Sequence, residues 1–124
     1  MTNWRAVVIG FLVAAVIGIL GLAAPVLGQL TAALVGGFVA GYLAGGGLLS
    51  GGWHGLLAGA LGGIIAGFVV ALAVGISGLA FGGPAGGALG GVAGAGIFLF
   101  VIVAAFVLAL ESAIAGAIGG LFNP

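Results

Sequence analysis

Only two side chains in this 124-residue chain carry a fixed charge, Arg5 and Glu111. A water-facing surface is normally about a quarter to a third charged, and this chain cannot build one. With 65 % of its residues hydrophobic, the surface it can build suits lipid. In lipid every backbone N–H and C=O must be paired internally, which leaves helices or a closed barrel. A barrel requires polar and apolar residues in alternation. The sequence shows none, so the expected class is all-α, an integral membrane four-helix bundle.

Composition also removes several kinds of function. There is no cysteine, hence no disulfide, thiolate metal site or thiol nucleophile. One basic residue cannot make the many phosphate contacts that nucleic acid demands. The chain holds one histidine and one carboxylate, too few for a metal cluster or a converging set of nucleophile, base and orienting group. Glycine-rich phrases match GxGxxG loosely, without the strand-then-helix setting or later acidic residue of a dinucleotide site. The reading is therefore a non-enzymatic protein with no cofactor and no metal.

A hydrocarbon core about 30 Å thick takes roughly 20 apolar residues per helical span. Four spans fit, as a single membrane domain over residues 1–124: about 5–23, 30–49, 53–76 and 94–119. Pro25 ends the first, since proline lacks an N–H and biases its predecessor away from helix. Gly45-Gly46-Gly47 frays the second, and Ser50-Gly51-Gly52 reads as the turn. Residues 77–93, with Gly82-Gly83-Pro84 and Gly86-Gly87, read as a glycine-rich connection, a re-entrant piece or a frayed helix. Met1–Arg5 followed by Ala6–Leu20 has the form of a signal peptide, with Gly21-Leu22-Ala23 as a small-residue site. It is read here as the first span.

The glycines recur at every fourth position. Span three carries Gly55, Gly59, Gly63, Gly67, Ala71 and Gly75, and span two carries Ala33, Gly37, Gly41 and Gly45. Span one carries Ala6, Gly10, Ala14 and Gly18. Span four carries Ala105, Ala109, Ala113 and Ala117 beside Ser112, Gly116 and Gly120. Residues four apart stack on one helix face. Lipid tails are as apolar as leucine, so membrane helices associate through close approach at small-xxx-small stripes. The expectation is glycine-zipper packing with Leu, Ile, Val and Phe turned outward.

The chain also reads as two related helical hairpins. Trp4-Arg5-Ala6-Val7-Val8-Ile9-Gly10 is echoed by Trp53-His54-Gly55-Leu56-Leu57-Ala58-Gly59, and a proline follows each odd span, Pro25 and Pro84. Two spans separate the copies, giving a parallel repeat. Trp4 and Trp53 then anchor one interface, which Arg5 marks as cytoplasmic. Both termini fall on that side, in the cell (plasma) membrane.

Arg5, His54 and Glu111 are the candidates for ion or proton chemistry or for polar pairing. An intramembrane carboxylate is by default a functional group with a partner, here Arg5 or His54. The alternative puts Glu111 among lipid head groups, with Ser112 capping a short terminal helix. On one continuous helix Glu111 points away from the alanine line, toward lipid or another subunit. His54 reads as an interfacial histidine, Gln29 as a loop amide and Tyr42 as a packing hydroxyl.

Trp4-Arg5-Ala6-Val7-Val8-Ile9-Gly10, Phe38-Val39-Ala40-Gly41-Tyr42-Leu43-Ala44-Gly45-Gly46-Gly47, Trp53-His54-Gly55-Leu56-Leu57-Ala58-Gly59 and Glu111-Ser112-Ala113-Ile114-Ala115-Gly116 together resemble a group of small, glycine-rich, four-span membrane proteins of haloarchaea, a domain-of-unknown-function family. The resemblance implies a four-span archaeal membrane protein and supplies no activity. A weaker similarity is to the rotor-ring proteolipids of ion-driven ATPases, which pair glycine-striped helices with one outward carboxylate. Glu111 resembles that carboxylate, but it lies 13 residues from the end rather than mid-span, and the polar loop of those rotors is missing.

Three roles follow as expectations. The first is a bundle that acts among membrane lipids by forming a homo-oligomer or packing into a larger membrane complex. The second is an ion- or proton-handling subunit using Glu111, and the third an oligomeric pore for a small uncharged solute.

Overall fold

The computed structural model describes residues 1–124 and contains helix but no strand. Three long helices follow in chain order, α1 (Trp4–Leu20), α2 (Pro25–Ala44) and α3 (Gly47–Leu121). All three are long and apolar enough to cross a membrane. A 3-10 turn, Gly21–Ala23, joins α1 to α2. Pro25 is the first residue of α2, where its missing N–H costs nothing and its fixed φ suits the helix.

α3 is two arms, residues 47–82 and 84–121. Gly83 breaks it with φ 61° and ψ −152°, a region that only glycine enters cheaply. Pro84 then opens the second arm as Pro25 opens α2. The arms run antiparallel, with Gly55 against Ser112 and Gly116 and with Gly78 against Gly86.

Two features depart from the sequence reading. The turn between α2 and α3 lies at Gly45-Gly46, and Ser50-Gly51-Gly52 belongs to the first turns of α3. Gly45, Gly46 and Gly47 have φ of 65°, 78° and 81°, a left-handed run that side-chain-bearing residues resist. Residues 77–93, read as a connection, a re-entrant piece or a frayed helix, are helical on both sides of Gly83. Their glycines serve close approach between the arms more than turning. The second departure is in the bounds of α2, which runs from Pro25 to Ala44 rather than from about residue 30 to 49.

By contact the chain divides into two compact units, Met1–Gly62 with Ala105–Pro124, and Gly63–Ala104. In the first unit α1 and α2 are antiparallel. A Cβ placed on Gly10 would lie 2.5 Å from the Ala40 Cβ, and one on Gly36 would lie 2.5 Å from the Ala14 Cβ. α2 runs parallel to the second arm, with Gly37 against Ser112 and Gly41 against Gly116. The second arm meets the first at Gly51, Gly55 and Gly59. The first arm returns to α1 through Val7, Ala58 and the Phe11–Gly62 contact.

The inward face of this unit is made of small residues. Val7 and Ser112 are the largest side chains buried completely, while Ala40, Ala58 and Ala109 are at most 2 % exposed. Leu12, Val16, Leu34, Leu43, Phe106 and Ile114 face outward. A water-driven core would have the reverse arrangement.

The second unit is a hairpin about Gly83. Each of its strands of helix has about 20 residues, roughly 30 Å at 1.5 Å per residue. Gly67 lies against the Phe98 ring and Val101, Gly94 against the Ala71 carbonyl, and Gly90 against Val74 and Gly78. A groove of about 540 Å³ runs along the hairpin, with Phe68, Leu72, Gly75, Gly91 and Ala95 among its walls.

Glycines at backbone contacts and glycines in open space should respond oppositely to a methyl group. A Cβ at Gly41 or Gly116 overlaps backbone of the facing helix, whereas one at Gly96 meets nothing within 4 Å. Gly41→Ala and Gly116→Ala should each destabilise by about 1–3 kcal/mol, the usual cost of overpacking. Gly96→Ala should be neutral or stabilise by up to about 1 kcal/mol through helix propensity. Thermal unfolding in detergent followed by circular dichroism checks this; equal effects at all three positions would contradict it.

Candidate functional site

Polar side chains gather at one end of the first unit, where the N-terminus, the Gly45-Gly46 turn and the C-terminus meet. Asn3 caps α1, with its side-chain oxygen accepting from the Ala6 N–H at 3.3 Å, as N-cap asparagines do. The Asn3 N–H itself donates to His54 Nε2 at 2.8 Å. On its other side His54 Nδ1 donates to the Ser50 carbonyl, one helical turn back, at 2.7 Å. Beside it the Trp53 indole N–H donates to the Thr2 hydroxyl at 3.2 Å. The Trp53-His54 pair thus ties the first residues of the chain to α3.

The C-terminus is tied to α2 at the same end. Asn123 donates its side-chain amide to the Tyr42 carbonyl at 2.8 Å. Phe38 stacks on Tyr42 with ring centroids 6.3 Å apart and meets Phe122 at 6.1 Å. Gly119 lies against the Phe38 carbonyl, where no side chain fits.

Deeper in the unit, Ser112 is 1 % exposed and donates to the Gly55 carbonyl at 2.8 Å. Gly37 of α2 and Gly59 of the first arm also press on Ser112, so three helical stretches converge there. Ser112 lies inside the helix and is not the cap that the sequence suggested. Its place in the line Ser112, Gly116, Gly120 was the better signal: all three are buried.

The sequence-chosen ionisable residues are not brought together as a site. His54 is 3 % exposed, buried rather than interfacial, and both its ring nitrogens are taken by backbone of Asn3 and Ser50. Arg5 is exposed near the same end. Glu111 is half-buried on the edge of the contact face that Ser112 centres. It stands about 15 Å along the helix from Leu121. Trp4 and Trp53 are 61 % and 50 % exposed, at the end that carries Arg5. Gln29 is no loop amide; it sits in α2 and donates to the Gly18 carbonyl at 3.2 Å.

Of the striped glycines, Gly37, Gly41, Gly55 and Gly59 lie at helix contacts of the first unit, and Gly45 lies against Asn123. Gly67 packs within the second unit. Gly63 is half-buried. Gly75 departs from the pattern, because a Cβ there would meet nothing within 4 Å.

Sequence reasoning passed over Thr2, Asn3 and Asn123. Asn3 had a readable signal, an N-cap residue just before a helical run. Thr2 and Asn123 had none, since their partners lie 51 and 81 residues away.

The Ser112 hydroxyl is the buried side-chain link between the two arms. Ser112→Ala should cost about 1 kcal/mol, the net worth of one such bond in water or membrane. Ser112→Leu, which must displace the backbone at Gly37 and Gly55, should prevent recovery of folded protein. A Ser112→Leu protein with wild-type thermal stability in detergent would show that the three-way contact is unimportant.

No curated protein and no solved structure matches this chain. A family model described as a family of unknown function, DUF5518, matches residues 4–122. Since the match runs through nearly the whole chain, the protein belongs to that family.

Proposed function

We propose that this chain is a non-enzymatic polytopic membrane protein, a glycine-zippered four-helix bundle that works by self-association or by packing into a larger membrane complex. Small residues left open to the outside carry the reading. Gly75, Gly82, Gly91 and Gly96 each have free space where a Cβ would stand. Gly87, Gly91 and Ala95, four apart on one arm, all line the groove of the second unit. In hydrocarbon such a surface gains nothing from lipid but lets another helix approach closely. The polar end carries both termini and Arg5, which favours a cytoplasmic placement by the positive-inside rule. The two hairpins, each with a proline opening its return helix, fit a parallel internal repeat.

Cross-linking or native mass spectrometry in mild detergent tests this. The wild type should run as an oligomer or with a co-purifying partner. Gly91→Leu should reduce association at least several-fold while leaving helicity and unfolding temperature unchanged. A clean wild-type monomer with no partner would refute the proposal.

The half-buried position of Glu111 beside the contact face favours a second reading, a carboxyl that takes up protons or ions at a boundary between copies. Carbodiimide should then label Glu111 more slowly as pH rises, and Glu111→Gln should abolish proton flux in reconstituted vesicles. Absent labelling, or flux unchanged by the substitution, removes this reading.

A further inference from the structure

The His54 hydrogen bonds define a single protonation state. The Ser50 carbonyl can only accept, so Nδ1 must carry a proton. The Asn3 amide can only donate, so Nε2 must be bare. Neutral imidazole in the Nδ1–H form meets both demands. Imidazolium has two donors and no acceptor, and it would set an N–H against the Asn3 N–H across the present 2.8 Å.

The surrounding groups do not relieve that conflict. Both ring partners are uncharged backbone, from the start of α1 and from the first arm. The other ionisable groups toward this end are Arg5 of α1, the Met1 amine ahead of it, Tyr42 of α2 and the Pro124 carboxylate that follows the second arm, and none of them is hydrogen-bonded to His54. The second arm contributes Glu111, roughly level with Gly59 through the Ser112 contact and so about one turn deeper than His54. With both ring nitrogens engaged by backbone, no carboxylate is hydrogen-bonded to His54.

We infer that His54 is a pH-sensitive latch on the N-terminal residues, closed while the ring is neutral and released on acidification. The latch is closed in the neutral form and open in the imidazolium form, so its contribution is present at high pH and is lost as the ring takes up a proton. Release frees the Asn3 N–H. It also moves the side chain that caps Ala6 and the adjacent Thr2 hydroxyl that holds Trp53. The opening stops there, because Ala6 and Val7 are 1 % and 0 % exposed and remain packed. The device therefore reports the pH of the compartment that this end faces by switching the order of residues 1–5. The rest of the unit stays folded.

Nitrogen-15 NMR of the full chain in nanodiscs tests the latch. At pH 8 the ring should show the Nδ1–H tautomer. As the ring titrates toward pH 5, amide protection at Asn3 and Ala6, corrected for intrinsic exchange, should fall by several-fold to about tenfold, as loss of one hydrogen bond allows. The midpoint should match that of the ring, and amides of residues 55–59 and 109–116 should keep their protection. His54→Gln should show equal protection at both pH values. An Nε2–H tautomer, a ring that does not titrate in this range, Asn3 protection unmoved by titration, or loss of protection throughout the chain would each overturn the inference. Should His54→Gln not fold, the wild-type titration decides alone.

Discussion

Direct backbone approach between helices is the interaction on which this structure depends. In water, burial of apolar side chains drives helix association at roughly 25 cal/mol per Å². In hydrocarbon that term vanishes, because the outside is as apolar as the inside. What remains is dispersion between close-packed atoms, individually about 0.1–0.2 kcal/mol and falling steeply with separation. Bulky side chains at a contact hold helix axes apart. Glycine and alanine let them close until carbonyls touch α-carbons, as Gly41 does with Gly116 and Gly10 with Gly36. The inward-small, outward-large distribution of the first unit follows from that single requirement.

The same solvent governs the polar groups. An unpaired hydrogen-bonding group in an apolar medium costs several kcal/mol, and no buried side-chain N or O lacks a partner. His54 and Ser112 are the buried polar side chains, and each bonds a backbone group. Ser112 is small enough to occupy a glycine-like position while bridging to Gly55. His54 is too large for a contact stripe and lies where the α1 N-terminus leaves room. Depth thus sorts polar residues by size, with Ser112 among packed backbones and His54, Asn3, Thr2 and Asn123 near the end.

The features legible in the sequence were those set by local chemistry. Two charges in 124 residues dictated helices in an apolar solvent, and Pro25 marked where the first helix has stopped. The α2–α3 turn was misplaced because Gly45-Gly46-Gly47 and Ser50-Gly51-Gly52 look alike in composition. Only the sign of φ separates them, and it is positive in the first alone. Helix through 77–93 was hidden for a related reason. Glycine weakens a helix in water by about 1 kcal/mol relative to alanine, but opposed pairs such as Gly78 and Gly86 turn that weakness into contact. The role of His54 was out of reach, since it depends on an amide 51 residues earlier in the chain.

The two units meet the apolar solvent on different terms. The first has a polar end, with Asn3, Arg5, Tyr42 and Asn123 available to an interface, and in α1 and α2 two helices of 17 and 20 residues that match one hydrocarbon thickness. The second, Gly63–Ala104, has Ser77 as its sole polar side chain. Phe81 beside its turn is 94 % exposed. Nothing in that hairpin is suited to water, so it has to lie against hydrocarbon or against other helices along its whole length. Its bulky residues, Phe68, Leu89, Val92 and Phe100, satisfy the first condition. Under the proposed association its open glycines serve the second, because a Gly91 facing lipid forgoes helix propensity with no contact in return. A sequence under no demand for association would be expected to carry alanine there.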